Sequence, residues 1–413
     1  GDGIADESRS HVRYQAAYCQ AQSGDVASAE KELEALALES PGTPGGVRAL
    51  RQVATLREQR GAWVEAIYAY EQILKSPSAG REAELARLHL GILHYRQAEY
   101  GKALADFDGA AATPGESAER ALFLKAWTLY MMGRNGDGLA LAEQFLEQHP
   151  KSSWADDVLY WIGEVRFNQG DHAAAEVFFA RLITEFPDEP TATDAMFWAG
   201  RAAAMQKQYV RAMEYFSRFV ARYPASPQIP DALFHEADAL TSLGRFPAAI
   251  LVFEEIIKNH PRSRLVPAAW GRKGDCCFTL GGADPQRYTE AARAFQFLIE
   301  SRDTPPEIRW QAEYKLAQTL ERQGDADSAL QHLLAVVYGV ATESGRMDAP
   351  VAVWFARAAL DAGTMLESRN RTPEAAAIYR KLAAAGLAAS EEASARIRKL
   401  QSAKAPPPRA SGS

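Results

Sequence analysis

Pro150, Pro187, Pro224 and Pro261 stand 37 residues apart, each directly after a His, Phe or Tyr. A fixed period of this length marks a repeated supersecondary unit that buries its apolar face by stacking on its neighbours. A second ruler keeps the same register. Gly24, Gly61, Gly133, Gly170, Gly244 and Gly281 fall on one grid, with Ala98 and Lys207 at two further sites. The steps are 37 residues, except one of 35 between Ala98 and Gly133.

Each unit reads as two helices. In one first helix Val158, Leu159, Ile162, Val165 and Phe167 recur at three- and four-residue spacing. A Gly-Asp or Gly-Arg step then ends it, because Gly takes the left-handed conformation at little cost. The second helix carries Ala-x-x-x-aromatic: Ala175 and Phe179, Ala212 and Phe216, Ala249 and Phe253. The same signature occurs at Ala66 and Tyr70, Ala103 and Phe107, Ala291 and Phe295, and Ala375 and Tyr379. Residues four apart share a helical face. A small residue also recurs in the first helix, twelve before that Ala: Ala54, Gly91, Ala126, Gly163, Gly200 and Ala237. Small residues on both helices imply a close crossing within each pair. Pro closes the unit, since it lacks an amide hydrogen and restricts the residue before it.

The pattern predicts an all-α chain of ten helix pairs, near 10–41, 47–78, 84–115, 119–150, 156–187, 193–224, 230–261, 267–302, 310–341 and 351–387. The repeat region thus spans 10–387, and a helix over 388–402 is expected to cover its last face. Residues 1–9 and 403–413 are expected to be disordered. A short insertion is expected at Gly282–Gln286 and a longer loop at Gly339–Ala349. A chain that starts Gly1-Asp2-Gly3 reads as a processed or partial form, its leader already removed if it had one.

The chemistry of the side chains narrows the function. Lys plus Arg is 46 and Asp plus Glu is 53, a net charge of -7 that gives no basis for holding a phosphate backbone. No apolar run reaches the roughly 18 residues of a membrane span. Cys19, Cys276 and Cys277 form neither a disulfide framework nor a CxxC site. None of the eight His lies in HExxH, and no GxSxG, P-loop or dinucleotide fingerprint occurs. Asp156 with Asp157, and Glu254 with Glu255, point about 100° apart on a helix and cannot act as facing pairs. No catalytic residue, metal site or cofactor is expected.

The small residue, the Ala, the aromatic and the closing Pro, as in Gly163, Ala175, Phe179 and Pro187, or Gly200, Ala212, Phe216 and Pro224, resemble the tetratricopeptide repeat (TPR) family. The unit ending at Pro150 departs from it, with Gly138 where Ala is the rule. The resemblance implies a right-handed superhelical α-solenoid whose first helices line a concave, partner-binding groove. Carried over residue by residue, that groove takes Phe123, Trp127 and Tyr130; Asp157, Tyr160, Glu164 and Phe167; Phe197 and Arg201; and Phe234 and Asp238. Trp161 and Trp198 lie one residue off this stripe. Two readings stay open. The aromatics pack between neighbouring repeats, or they anchor a partner while Asp157, Glu164, Arg201 and Asp238 select its charge. The strip lacks the Lys, Asn and Arg set with which some TPR domains grip a C-terminal carboxylate.

"HPKSSWADDVLYWIG", "FPDEPTATDAMFWAG" and "YPASPQIPDALFHEA" are similar in style to bacterial cell-envelope TPR proteins of the outer-membrane-assembly lipoprotein and Tol-Pal-associated types. That likeness implies a periplasmic or outer-membrane-associated location, with the cytoplasm as the alternative. The expected function is a non-enzymatic scaffold that binds an extended or helical segment of one or more proteins, without nucleic acid and without inserting into a membrane. The rival readings are a spacer or fragment of a longer array, and the regulatory part of an enzyme complex whose catalysis lies elsewhere.

Overall fold

In the computed structural model, which describes residues 2–343 and 349–402, every regular element is a helix. The pairs are α1 (Asp2–Gln22) with α2 (Val26–Glu39), α3 (Pro44–Gln59) with α4 (Trp63–Leu74), α5 (Arg81–Arg96) with α6 (Tyr100–Ala110), α7 (Glu116–Met131) with α8 (Asn135–Gln148), and α9 (Ala155–Asn168) with α10 (His172–Glu185). There follow α11 (Thr191–Met205) with α12 (Tyr209–Arg222), α13 (Ile229–Ser242) with α14 (Phe246–Asn259), α15 (Val266–Leu280) with α16 (Gln286–Glu300), α17 (Pro306–Arg322) with α18 (Ala326–Glu343), and α19 (Ala349–Ser368) with α20 (Thr372–Ala384). A last helix, α21 (Ser390–Ser402), packs on α20. The chain divides into two compact units, one ending at Ala195 and the other beginning at Met196 within α11.

Two boundaries differ from the sequence expectation. The first helix begins at Asp2, so residues 2–9 are helical rather than disordered. No Pro interrupts that stretch, and a helix already nucleated downstream extends through it. Likewise α18 runs to Glu343, five residues into the expected loop. Residues 344–348 and the tail 403–413 lie outside the described residues.

The turn between partners has a repeated construction. Gly170, at φ 82°, ends α9, and the Asp171 carboxylate accepts a hydrogen bond from the Ala174 N–H at 3.1 Å. Asp25 and Asp325 cap α2 and the helix after Gly324 in the same way. A side-chain acceptor here satisfies one of the amides that a helix N-terminus leaves open. Between pairs, the Ser152, Ser226 and Ser263 hydroxyls each accept from a backbone N–H two residues on, at 3.2 Å. That bond is the local reason for the aromatic-Pro-x-Ser spelling.

The core is the crossing of the two helices. In the unit ending at Ala195, Tyr70, Phe107, Phe145 and Phe179 are fully buried; in the other, Phe216, Phe253, Phe295 and Tyr379 are. A Cβ added to Gly163 would lie 2.6 Å from Phe179 Cε1, and one on Gly200 would lie 2.9 Å from Phe216 Cε1. The ring rests directly on the backbone of the partner helix. In the α7–α8 pair, a Cβ on Gly138 would meet the Ala126 carbonyl oxygen at 2.6 Å. Gly replaces the usual Ala there because backbone meets backbone, and Phe145 supplies the buried ring one turn later than usual.

Where the buried ring is a Tyr, the first helix carries a Glu twelve residues earlier to receive its hydroxyl. Tyr70 donates to Glu58 at 3.2 Å and Tyr379 donates to Glu367 at 2.5 Å. A buried hydroxyl without an acceptor is costly, so ring and carboxylate come together.

Candidate first-helix binding face

In the unit ending at Ala195, the first helices α7 and α9 bring four of the expected residues into one cluster. Trp161 is only 4% exposed. Phe123, Trp127 and Tyr130 surround its ring, with centroids at 6.1, 5.4 and 5.7 Å. These three are half-buried, so each has one side on Trp161 and one side open. Trp127 Nε1–H donates to the Tyr95 hydroxyl at 2.7 Å, which ties α7 to α5. Trp161 is therefore the floor of the cluster and not a contact surface. It points toward α7 because residues one off the open stripe face the preceding pair.

Beside the cluster, Tyr160 packs its ring 5.8 Å from Phe179, and Phe167 lies 4.8 Å from His172. Asp157 and Glu164 are half-buried, and among the described residues neither has a cation paired with it. Burial raises the Asp157 carboxyl above its ordinary range, and Asp156 and Glu189 add to the effect. Glu164 is raised by burial and by Asp194, while a hydrogen bond from Tyr160 opposes the change. The face thus combines open aromatic edges with two carboxylates that no cation among the described residues pairs.

In the unit beginning at Met196 the expected residues separate. Phe197 is 8% exposed, its ring edge-on to Phe216, Phe219 and His235 at 5.8–5.9 Å. It is core, which corrects the expectation that it meets a partner. The wedge between α11, α12 and α13 needs a large apolar side chain, and Phe197 fills it. Trp198 is half-buried beneath the Arg201 guanidinium, 5.0 Å from the ring centroid, a cation–π arrangement. Asp238 is held by Arg272, whose Nε and Nη2 lie 2.8 and 2.7 Å from one carboxylate oxygen. Its charge is spent within the protein, so it does not select a partner's charge.

Phe234 packs against Phe253 at 5.7 Å and forms one wall of a cavity of about 140 Å³. Ala268, Gly271, Phe295, Leu298, Ile308 and Ala312 form most of the rest, from α15, α16 and α17. Arg272, Asp275, Gln311 and Lys315 stand at it too, and Lys315 Nζ lies 2.6 and 2.7 Å from the two Asp275 oxygens. The sequence reading missed this cavity. Its signal was present: Phe123, Tyr160, Phe197 and Phe234 are spaced by 37 residues, and the next step lands on Gly271.

Among the described residues no group of three or more His, Cys, Asp or Glu is arranged to hold a metal. No described helix is long and apolar enough to cross a membrane.

A family model described as tetratricopeptide repeat matches residues 14–81, 123–190, 217–264, 234–284 and 283–344, and a second of the same description matches 194–226. No curated protein sequence matches. Among solved structures, a tetratricopeptide repeat protein from Parabacteroides merdae is 15% identical over 78% of this chain and 98% of its own, with a TM-score of 0.33. The C-terminal part of a TPR repeat-containing protein from Cytophaga hutchinsonii is 14% identical over 68% and 98%, with a TM-score of 0.41. MamA from Desulfovibrio magneticus is 17% identical over 46% and 97%, with a TM-score of 0.38.

Proposed function

Since this chain belongs to the tetratricopeptide repeat family, whose members mediate protein–protein interaction, we propose that it is a scaffold whose first-helix face holds a segment of a partner protein. One observation carries the choice of face. Phe123, Trp127 and Tyr130 keep open edges around Trp161, next to Asp157 and Glu164, which have no paired cation among the described residues. Aromatic side chains with one packed and one open side are the usual anchors of an interface. Unpaired, half-buried carboxylates are costly to keep, and an incoming Lys or Arg relieves that cost. The favoured segment is therefore basic as well as apolar where it crosses α7 and α9.

The test is affinity. Tyr130→Ala and Glu164→Gln should each weaken binding of a captured partner segment several-fold while the far-ultraviolet spectrum shows the helical fold intact. Unchanged affinity in both variants would remove the face from consideration. The Pro-x-Ser spelling of the central repeats supports a second proposal, that this scaffold works in a bacterial envelope. Fractionation of the native cell, with the chain found only among cytoplasmic proteins, would contradict it.

A further inference from the structure

Gly271 interrupts a row. In four successive first helices the same register holds a ring: Phe123, Tyr160, Phe197 and Phe234. In α15 the register holds no side chain, and the space beside it is the cavity of about 140 Å³. The glycine is not demanded by crowding. A Cβ at Gly271 would touch only Leu298 Cδ1, at 3.7 Å, an ordinary contact. Nor does the backbone require it, since Gly271 lies within a regular helix and is absent from the positive-φ positions. The stacking geometry that elsewhere seats a ring is here left open.

The size and chemistry of the space define what enters it. An apolar cavity of roughly 150 Å³ takes a guest the size of benzene. The walls given by Phe234, Phe295, Leu298 and Ile308 are apolar. The rim charges cancel in pairs, Arg272 with Asp238 and Lys315 with Asp275, at 2.6–2.8 Å. A charged guest would find no free counter-charge there and would have to break a pair. An uncharged ring enters without breaking either pair and gains apolar contacts with Phe234, Phe295, Leu298 and Ile308.

We propose that the cavity at Gly271 is a specificity pocket that receives one uncharged aromatic side chain of the bound segment. The proposal rests on the reading of the first-helix face as the partner surface, and it adds the residue that the partner inserts. In effect the partner supplies the ring that the eighth helix pair omits.

The experiment uses the full chain and a soluble probe, N-acetyl-phenylalaninamide, with N-acetyl-alaninamide and N-acetyl-lysinamide as comparisons. Saturation-transfer NMR should show magnetisation passing to the phenyl protons of the first probe and not to the other two. Gly271→Phe builds the missing ring into the protein and should abolish the signal. Ala268→Leu fills the same space from the half-exposed rim and should do the same, which keeps the test valid if Gly271→Phe does not fold. With a captured partner segment, Gly271→Phe should lower affinity roughly tenfold, the scale of one anchor residue. Phenyl signals that persist in either folded variant would overturn the pocket, as would equal transfer to all three probes or none to any. The Tyr130 and Glu164 variants act on the other compact unit, so their failure and the failure of the pocket are separately readable.

Discussion

Gly163→Ala adds one carbon where the Phe179 ring already lies 2.6 Å from the position that carbon would take. Either the ring leaves its buried site or α9 and α10 move apart. Overpacking of this kind costs roughly 1–3 kcal/mol. Alanine returns about 1 kcal/mol through its better mid-helix propensity. Ala54 shares a core cluster with Tyr70, so a pair can be built for the wider crossing, and the expected net loss is at the low end, about 1 kcal/mol. In a Phe179→Leu background the obstructing ring is gone. There the same substitution should stabilise by up to about 1 kcal/mol. The coupling between the two sites is then about 2 kcal/mol, within the range for residues in contact. Urea unfolding followed by circular dichroism gives the four stabilities. Repeat arrays can open in parts, so exchange rates of the α9 amides should be read alongside. If Gly163→Ala has the same sign and size with and without the ring, the close crossing is not what holds the pair together.

Three further outcomes follow from the structure. Lys207 stands in the left-handed region at φ 61°, on the grid that is otherwise mostly Gly, so Lys207→Gly should raise the melting temperature and stability by roughly 0.5–1 kcal/mol; a loss would show that the side chain does more than occupy the turn. The Glu164 carboxyl has its folded pKa raised above the ordinary 4.5, so stability from its protonation is complete below the unfolded value and is lost as pH rises through the folded one. Glu164→Gln should therefore gain on the wild type more at pH 7 than at pH 4, and a pH-independent difference between the two chains would contradict the burial argument. Cys276 and Cys277 are buried, with the Cys277 thiol pushed up to about 12 by burial first, whereas Cys19 is exposed. Alkylation of the native chain should modify Cys19 rapidly and the adjacent pair only on unfolding.

The repeat was legible in the sequence because its punctuation is local chemistry. Gly170 with Asp171 ends one helix and starts the next, and Ser152 or Ser226 opens a pair, whatever the distant packing. The identity of the buried rings followed from the three-to-four-residue spacing. Which aromatic faces outward did not. Trp161 and Phe197 sit within a fraction of a turn of Tyr160 and Trp198, and only the rotation between successive pairs decides which of them meets a neighbour. The pairing of Asp238 with Arg272 was likewise invisible, since it joins helices of different repeats 34 residues apart. The cavity at Gly271 was legible only as a gap in a row of rings, and a gap says nothing until the walls are in place.

Hydrogen exchange on the full chain, with and without a captured partner segment, bears most directly on the first-helix face as the working surface. New protection should appear in α7 and α9, and around Gly271 in α15, while α8 and α10 exchange as before. Protection confined to those second helices would place the partner on the opposite side of each pair and contradict the proposed function.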